Sequence, residues 1–154
     1  MAKADIKMPE EFLLKLSKLA DKTDEIIPRV LQAGGEVVEA KVRANLQAVI
    51  GKDTKEDSRS TGELTSSLGT SPVSVDHDGI HNVKVGFAEP RRQQNDAKGK
   101  RSYYVRTNAM VATVLEYGKS GQPPRPFMKP AKAASKKPCE AAMKAAFEKE
   151  VGQI

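Results

Sequence analysis

Between Tyr117 and Phe127 the chain is constrained by its own residues. Gly118 and Gly121 accept positive φ, whereas Pro123, Pro124 and Pro126 fix φ and hold the residues before them extended. Neither a helix nor a strand can run through such a segment. The apolar run that starts at Val111 must therefore end at Glu116-Tyr117-Gly118, and a new element must open at Arg125-Pro126-Phe127. The segment between is a bent, stiff connector. It has little entropy to lose on docking, which suits a surface that presents one shape to a partner. Phe127 is one of four phenylalanines in a chain without tryptophan, so it is the natural plug holding the following helix to the core. Arg125-Pro126-Phe127 reads as a helix cap and anchor, as a subunit contact, or as both.

Helical periodicity dominates the N-terminal third. Phe12, Leu13, Leu16 and Leu19 predict a short amphipathic helix over Glu10 to Lys22, part of an N-terminal helical extension over 1–22. From Thr23 to Ile50 a second stripe carries Ile27, Leu31, Gly34, Val38, Val42, Leu46 and Val49. If continuous, it spans about 42 Å. Pro28 fits a helix only near its start, and Gly34-Gly35 costs about 2 kcal/mol against two alanines. Such a cost calls for compensation, and close approach of another backbone, a sheet or a neighbouring subunit would supply it. Gly51 ends the helix and 52–59 reads as an exposed loop. Ser60 with Glu63 has the capping-box spacing, which predicts a short helix through Leu68 pinned by Leu64 and Leu68.

Past Gly69 the period changes from helical to alternating. Val73 and Val75, then Ile80, Val83, Val85 and Phe87, predict a hairpin turning at Asp76-His77-Asp78-Gly79. A long basic loop over 89–106 follows, without apolar periodicity. Tyr103 to Val105 and Met110 to Tyr117 fit strand or helix equally. From Phe127 the pattern is helical again, with Pro130 in the first turn, Pro138 as a kink, and Ala134, Ala142, Met143, Ala146 and Phe147 marking the buried side. The expected fold is α+β in one domain over 1–154, a long N-terminal helix and a C-terminal helix packed on a small, mainly antiparallel sheet.

Charge narrows the function. The chain carries a formal net charge of +6. Arg91, Arg92, Lys98, Lys100 and Arg101 stand almost unopposed in the loop, and no acid occurs from Lys119 to Lys137. Such a field attracts phosphate or an acidic protein surface, though it also fits a solvated loop and a solvated helix face. Only Tyr103 and Tyr104 interleave with the basic residues, which argues against a base-stacking binder. No apolar run approaches the roughly 20 residues of a membrane span, so the expectation is a protein with no membrane partner that stays in the cytoplasm where it is made. Catalytic patterns fail on inspection. Gly118-Lys119-Ser120 imitates the end of a phosphate loop, but Thr113 stands where glycine is required and Pro123-Pro124 where a helix should begin. Asp76, His77, Asp78 and His81 belong to turn geometry better than to a metal site. Two histidines and one cysteine, Cys139, provide no nucleophile and base pair, so neither enzyme activity nor a cofactor is expected.

Two anchors carry a resemblance. Leu115-Glu116-Tyr117-Gly118 followed by Arg125-Pro126-Phe127-Met128-x-Pro130-Ala131 resembles the neck and tail-completion proteins of long-tailed bacteriophages. Thr61-Gly62-Glu63-Leu64 with Ser67 is similar to that family's upstream segment, and a Val-Lys-Val-Gly strand lies between the anchors. The resemblance runs from Glu36 to Ala146. It implies a structural virion protein of the neck, assembled in the bacterial host cytoplasm, that completes the tail or joins it to the head as part of a ring, with six subunits the first choice. Its partners would be further copies of itself, neighbouring neck and tail proteins, and DNA passing through the channel. Glu116, Tyr117, Gly118, Arg125, Pro126 and Phe127 would be contact candidates, and the five basic loop residues would meet protein or DNA. The resemblance also implies that the Met110 side packs on the sheet. The rival readings are a basic nucleic-acid-binding protein and, last, a small hydrolase or toxin.

Overall fold

The computed structural model describes residues 10–52, 60–89 and 107–153, with the side chain of Phe12 excepted. One helix, α1, runs from Glu10 to Val49, and its 40 residues span about 60 Å. The two helices expected on either side of Thr23 are thus continuous. Pro28 lies well inside this helix and not near its start. An internal proline costs roughly 3 kcal/mol through a lost hydrogen bond and a clash with the preceding turn. Tertiary contacts on both sides of it hold the helix together: Ile26 is buried, and Arg29 Nη1 donates to Glu150 Oε2 at 2.7 Å.

The C-terminal helix, α4 (Met128–Val151), runs antiparallel to α1. Asn45 Nδ2 donates to the Phe127 carbonyl at one end, and the Arg29–Glu150 pair ties the other. Pro138 sits within α4 without ending it. The buried side is Ala131 and Ser135, with Cys139, Ala142, Met143 and Ala146 half-buried. Ala134 and Phe147 are exposed, which corrects the expected face. Alanines occur all round this helix, so composition alone does not mark a stripe. Because α4 is only 24 residues, about 36 Å, the first turns of α1 extend past its end. Leu13, Leu14 and Leu16 there are 49%, 62% and 43% exposed.

Between these helices and the sheet, Gly34 and Gly35 do the work of close approach. A Cβ on Gly34 would sit 2.7 Å from Met143 Cγ and 3.1 Å from Cys139 Sγ of α4, and one on Gly35 would sit 2.7 Å from Thr70 Cγ2 and 2.9 Å from Val83 Cγ1. The approaching groups are side chains, not backbone, and they come from this same chain on two sides of one helix turn.

The helix α2 (Glu63–Ser67) starts later than the capping box requires. Its N-cap is Gly62, left-handed at φ 76°, and no side chain caps it. Leu68 does not end a helix but opens strand β1 (Leu68–Thr70). Strands β2 (Ser74–Val75) and β3 (His81–Asn82) form the tip of the expected hairpin, and β4 (Val85–Phe87) returns to pair with β1. Both pairings are antiparallel, with Leu68 opposite Phe87 and Val75 opposite His81. Pro72 has no N–H for the ladder, so the hairpin divides there into two short ladders bridged by Ser71 and Lys84. At the turn, Asp76 Oδ1 accepts from the N–H groups of Asp78 and Ile80, and Gly79 adopts φ 78°.

The ambiguous run after Thr107 is helix α3 (Asn108–Tyr117), capped by Thr107 Oγ1 accepting from Met110 N–H. Met110 is 53% exposed, so it does not pack on the sheet. The buried face is Asn108, Ala112 and Glu116. Two of those three are polar, and that defeats a reading by apolar period. Val42, Leu46, Leu64, Leu68, Ala112, Phe127 and Ala131 form the buried cluster where α1, α2, β1, α3 and α4 meet.

Candidate functional site

The six residues singled out around the connector come together where three helix ends meet. α4 begins without a cap of its own: Phe127 is its N-cap, makes no side-chain cap bond, and no acid lies in the first turn. Glu116, at the end of α3, supplies what is missing. Its Oε2 accepts from the N–H groups of Phe127 and Met128 at 2.8 Å each, and its Oε1 accepts from Lys129 N–H at 2.9 Å. A buried carboxylate thus satisfies the first amides of α4 and faces the positive end of its dipole. Burial pushes the Glu116 carboxyl upward, but the amides of Lys129, Met128 and Phe127 outweigh it and hold the group below the usual carboxylate range.

Arg125 serves the opposite charge. α1 has no basic residue in its last turn, and Arg125 Nη1 donates to the carbonyls of Val49 at 3.4 Å and Lys52 at 2.9 Å. Its own N–H donates to Leu115 O at 2.8 Å. Gly118 makes the corner possible with φ 76°, because a Cβ there would lie 2.7 Å from the Gln122 carbonyl oxygen and 2.8 Å from the Pro124 nitrogen. Gly121 is also left-handed, and Lys119 and Gln122 close the turn by exchanging backbone bonds. Phe127 is 1% exposed and meets Phe87 edge to face at 6.1 Å. Glu116, Arg125 and Phe127 are thus turned into the protein. Tyr117 and Pro126 face outward, Tyr117 being 63% exposed with Lys129 Nζ 5.5 Å from its ring centre.

A second clasp, not signalled by any motif beyond an i,i+4 charge pair, fixes the sheet to α1. Arg43 donates to Glu39 Oε1 and to the carbonyls of Thr65 and Leu68, and Thr70 Oγ1 donates to Glu39 Oε2. The Arg43 guanidinium, then the Thr70 hydroxyl, hold the Glu39 carboxyl below its ordinary range. The basic candidates Arg91, Arg92, Lys98, Lys100 and Arg101 lie outside the described residues, as do Tyr103 and Tyr104. Among the described residues no cluster of His, Cys, Asp and Glu could hold a metal, and no helix is long and apolar enough to cross a membrane.

Comparison with known families decides the assignment. A family profile described as "Bacteriophage HK97-gp10, putative tail-component" matches residues 10–118, more than half of the chain. The chain belongs to the HK97 gp10-like family. Membership makes it a structural protein of the bacteriophage tail, and its place is the virion. The match begins well before Glu36 and takes in the helical segment from Glu10. It includes Glu116 and Gly118 but stops short of Arg125 and α4, so the HK97 gp10-like region contributes one half of the three-helix junction. No curated protein and no solved structure matches the chain.

Proposed function

We propose that this HK97 gp10-like protein is a component of the phage neck that completes the tail or joins it to the head, working as a closed head-to-tail ring with sixfold symmetry the first choice. The observation that carries this is a pair of unlike apolar surfaces at opposite ends of α1. Leu13 and Leu16 are exposed at the N-terminal end, and Met110 and Tyr117 are exposed near the junction at the other. Uncovered apolar side chains favour a protein contact, and unlike surfaces favour a heterologous contact, which closes into a ring where the rotation between copies permits. The Glu116 and Arg125 clasp would keep Tyr117 and Pro126 in one fixed presentation, so that little ordering entropy is lost on assembly.

The test is the mass of the purified chain, alone and with its neck partners, together with its position in a virion reconstruction. Rings at the neck are expected; an isolated twofold dimer, or a location away from the neck, refutes the proposal. A nucleic-acid-binding role is the second reading. It draws on Lys129, Lys132 and Lys136, which share one face of α4 and enter no ion pair among the described residues. Strong, salt-dependent DNA binding by a monomer would favour it. For Arg91, Arg92, Lys98, Lys100 and Arg101 the proposed partner is an adjoining protein, since many phosphate contacts would slow DNA moving through a channel.

A further inference from the structure

The leucines at the start of α1 continue the face that, further along, forms the core. Leu13 and Leu31 are five turns apart, and Leu16 and Ile27 three turns apart, so one stripe runs the length of the helix. Beyond the end of α4 nothing described covers that stripe. Glu10, Asp21 and Asp24 fall along one edge of it at helical spacing, whereas Lys15, Lys18 and Lys22 form a row on the far side. The free segment is therefore an apolar ridge with an acidic border.

The complementary shape lies elsewhere on the chain. Between α4 and the hairpin, with α1 as floor, is an apolar groove of about 360 Å³ whose lining includes Val38, Val83, Val85, Cys139 and Met143. Its α4 rim is basic: Lys132 lines it, and Lys129 and Lys136 follow on the same helix face. Phe147, 44% exposed, extends the apolar surface one turn beyond Met143. The chain's own leucines cannot reach this groove. Leu16 and Gly34 sit on one continuous helix about 27 Å apart, and Gly34 is where Cys139 touches α1.

We infer that the first turns of α1 from one copy seat in the groove between α4 and the hairpin of the next copy, Leu13 and Leu16 entering the apolar channel and the acidic border facing Lys132 and Lys136. Ridge and groove occupy different places on the molecule, so each copy offers one of each and the contact propagates head to tail. This rests on the ring proposed above and gives Leu13 and Leu16 this groove, rather than the Met110 and Tyr117 surface, as their seat.

Cys139, the single cysteine, lines the groove and reports on the contact directly. A disulfide needs Cα atoms within about 7 Å, so one joining position 16 to Cys139 can form only between copies. Full-length Leu16→Cys, assembled with its neck partners and mildly oxidised, should give cross-linked ladders whose peptide map joins position 16 to Cys139. Leu14→Cys, which points off the stripe, should cross-link at least tenfold more slowly. A charge-reversed pair, Lys132→Glu with Lys136→Glu, should abolish assembly while keeping the wild-type circular dichroism, and Asp21→Lys with Asp24→Lys in the same chain should restore it. An oligomer of normal size without the cross-link overturns this contact and leaves the ring standing. A chain that is monomeric alone and with its partners overturns both.

Discussion

Replacing Glu116 separates the contribution of the junction from that of the apolar core. In Glu116→Ala three amides lose their acceptor at once: Phe127 N–H, which is buried, Met128 N–H, which is half-buried, and Lys129 N–H, which is close to solvent. A buried donor left unsatisfied costs about 1 to 3 kcal/mol, and loss of an N-cap at a wetter position about 0.5 to 2 kcal/mol. Water relieves part of the cost at Lys129, so the sum is about 3 kcal/mol. For a chain of this length that lowers the melting temperature by about 6 to 12 °C. Glu116→Gln keeps one acceptor and the shape, so it should lose about 2 kcal/mol. The pH dependence has a definite sign. The folded Glu116 carboxyl is held below its unfolded value of about 4.3, so its contribution is complete above that pH and is lost as pH falls through the folded value. Melting followed by circular dichroism between pH 7 and 3 should show wild type losing stability in the acid range and Glu116→Gln losing less. If the glutamine variant melts within a degree of wild type at pH 7, or follows the same acid slope, the carboxylate is not the cap of α4.

Further outcomes follow from the packing and from the partner proposed for the basic segment. Phe127→Ala removes a 1% exposed ring from the meeting point of the helices and should cost about 3 to 5 kcal/mol, measured by denaturant titration; virions carrying it should lack tails or lose DNA. Gly35→Ala places a methyl against the stiff side chains of Thr70 and Val83, and the overpacking of about 1 to 3 kcal/mol should exceed the helix-propensity gain of about 1 kcal/mol. Gly34→Ala meets Met143 Cγ and Sδ and the Cys139 thiol, a crowding that the unbranched methionine can clear by changing rotamer, so it should cost less than Gly35→Ala; equal effects at the two glycines would refute this distinction. Replacing Arg91, Arg92, Lys98, Lys100 and Arg101 by serine should leave the melting curve unchanged and reduce head-to-tail joining, scored by electron microscopy of particles.

Features that depend on neighbours in the chain were legible in sequence. The apolar stripe of α1, the Asp76 to Gly79 turn, the left-handed Gly118 and Gly121, and Phe127 as a plug all follow from local stereochemistry and period. What was not legible depends on partners far along the chain. Pro28 stays helical because of packing around Ile26 and Glu150, and α4 buries Ser135 instead of Ala134 because Glu116 and α1 set its rotation. Of the candidate site, the sequence marked the six junction residues and the inward Phe127, but not that Glu116 and Arg125 also turn inward. Glu116 reads as surface charge until α4 is laid against it, and Arg125 reads as a free cation until the end of α1 is brought to it.

The base of segment 90–106 has a consequence for how this chain tolerates change. Asn108 Nδ2 donates to Ala88 O at 2.8 Å, and Glu89 Oε1 accepts from Ala109 N–H at 2.8 Å, so the two ends of the segment are stapled to each other at the start of α3. Both bonds are made between residues that flank 90–106. The entropy of joining two fixed ends rises slowly with the length of chain between them, by about 0.6 kcal/mol per doubling. By that measure, a change of length between the two tied ends costs the fold little. An evolving phage could exchange the segment as a cassette, changing which partner it meets while the helices that carry it stay as they are.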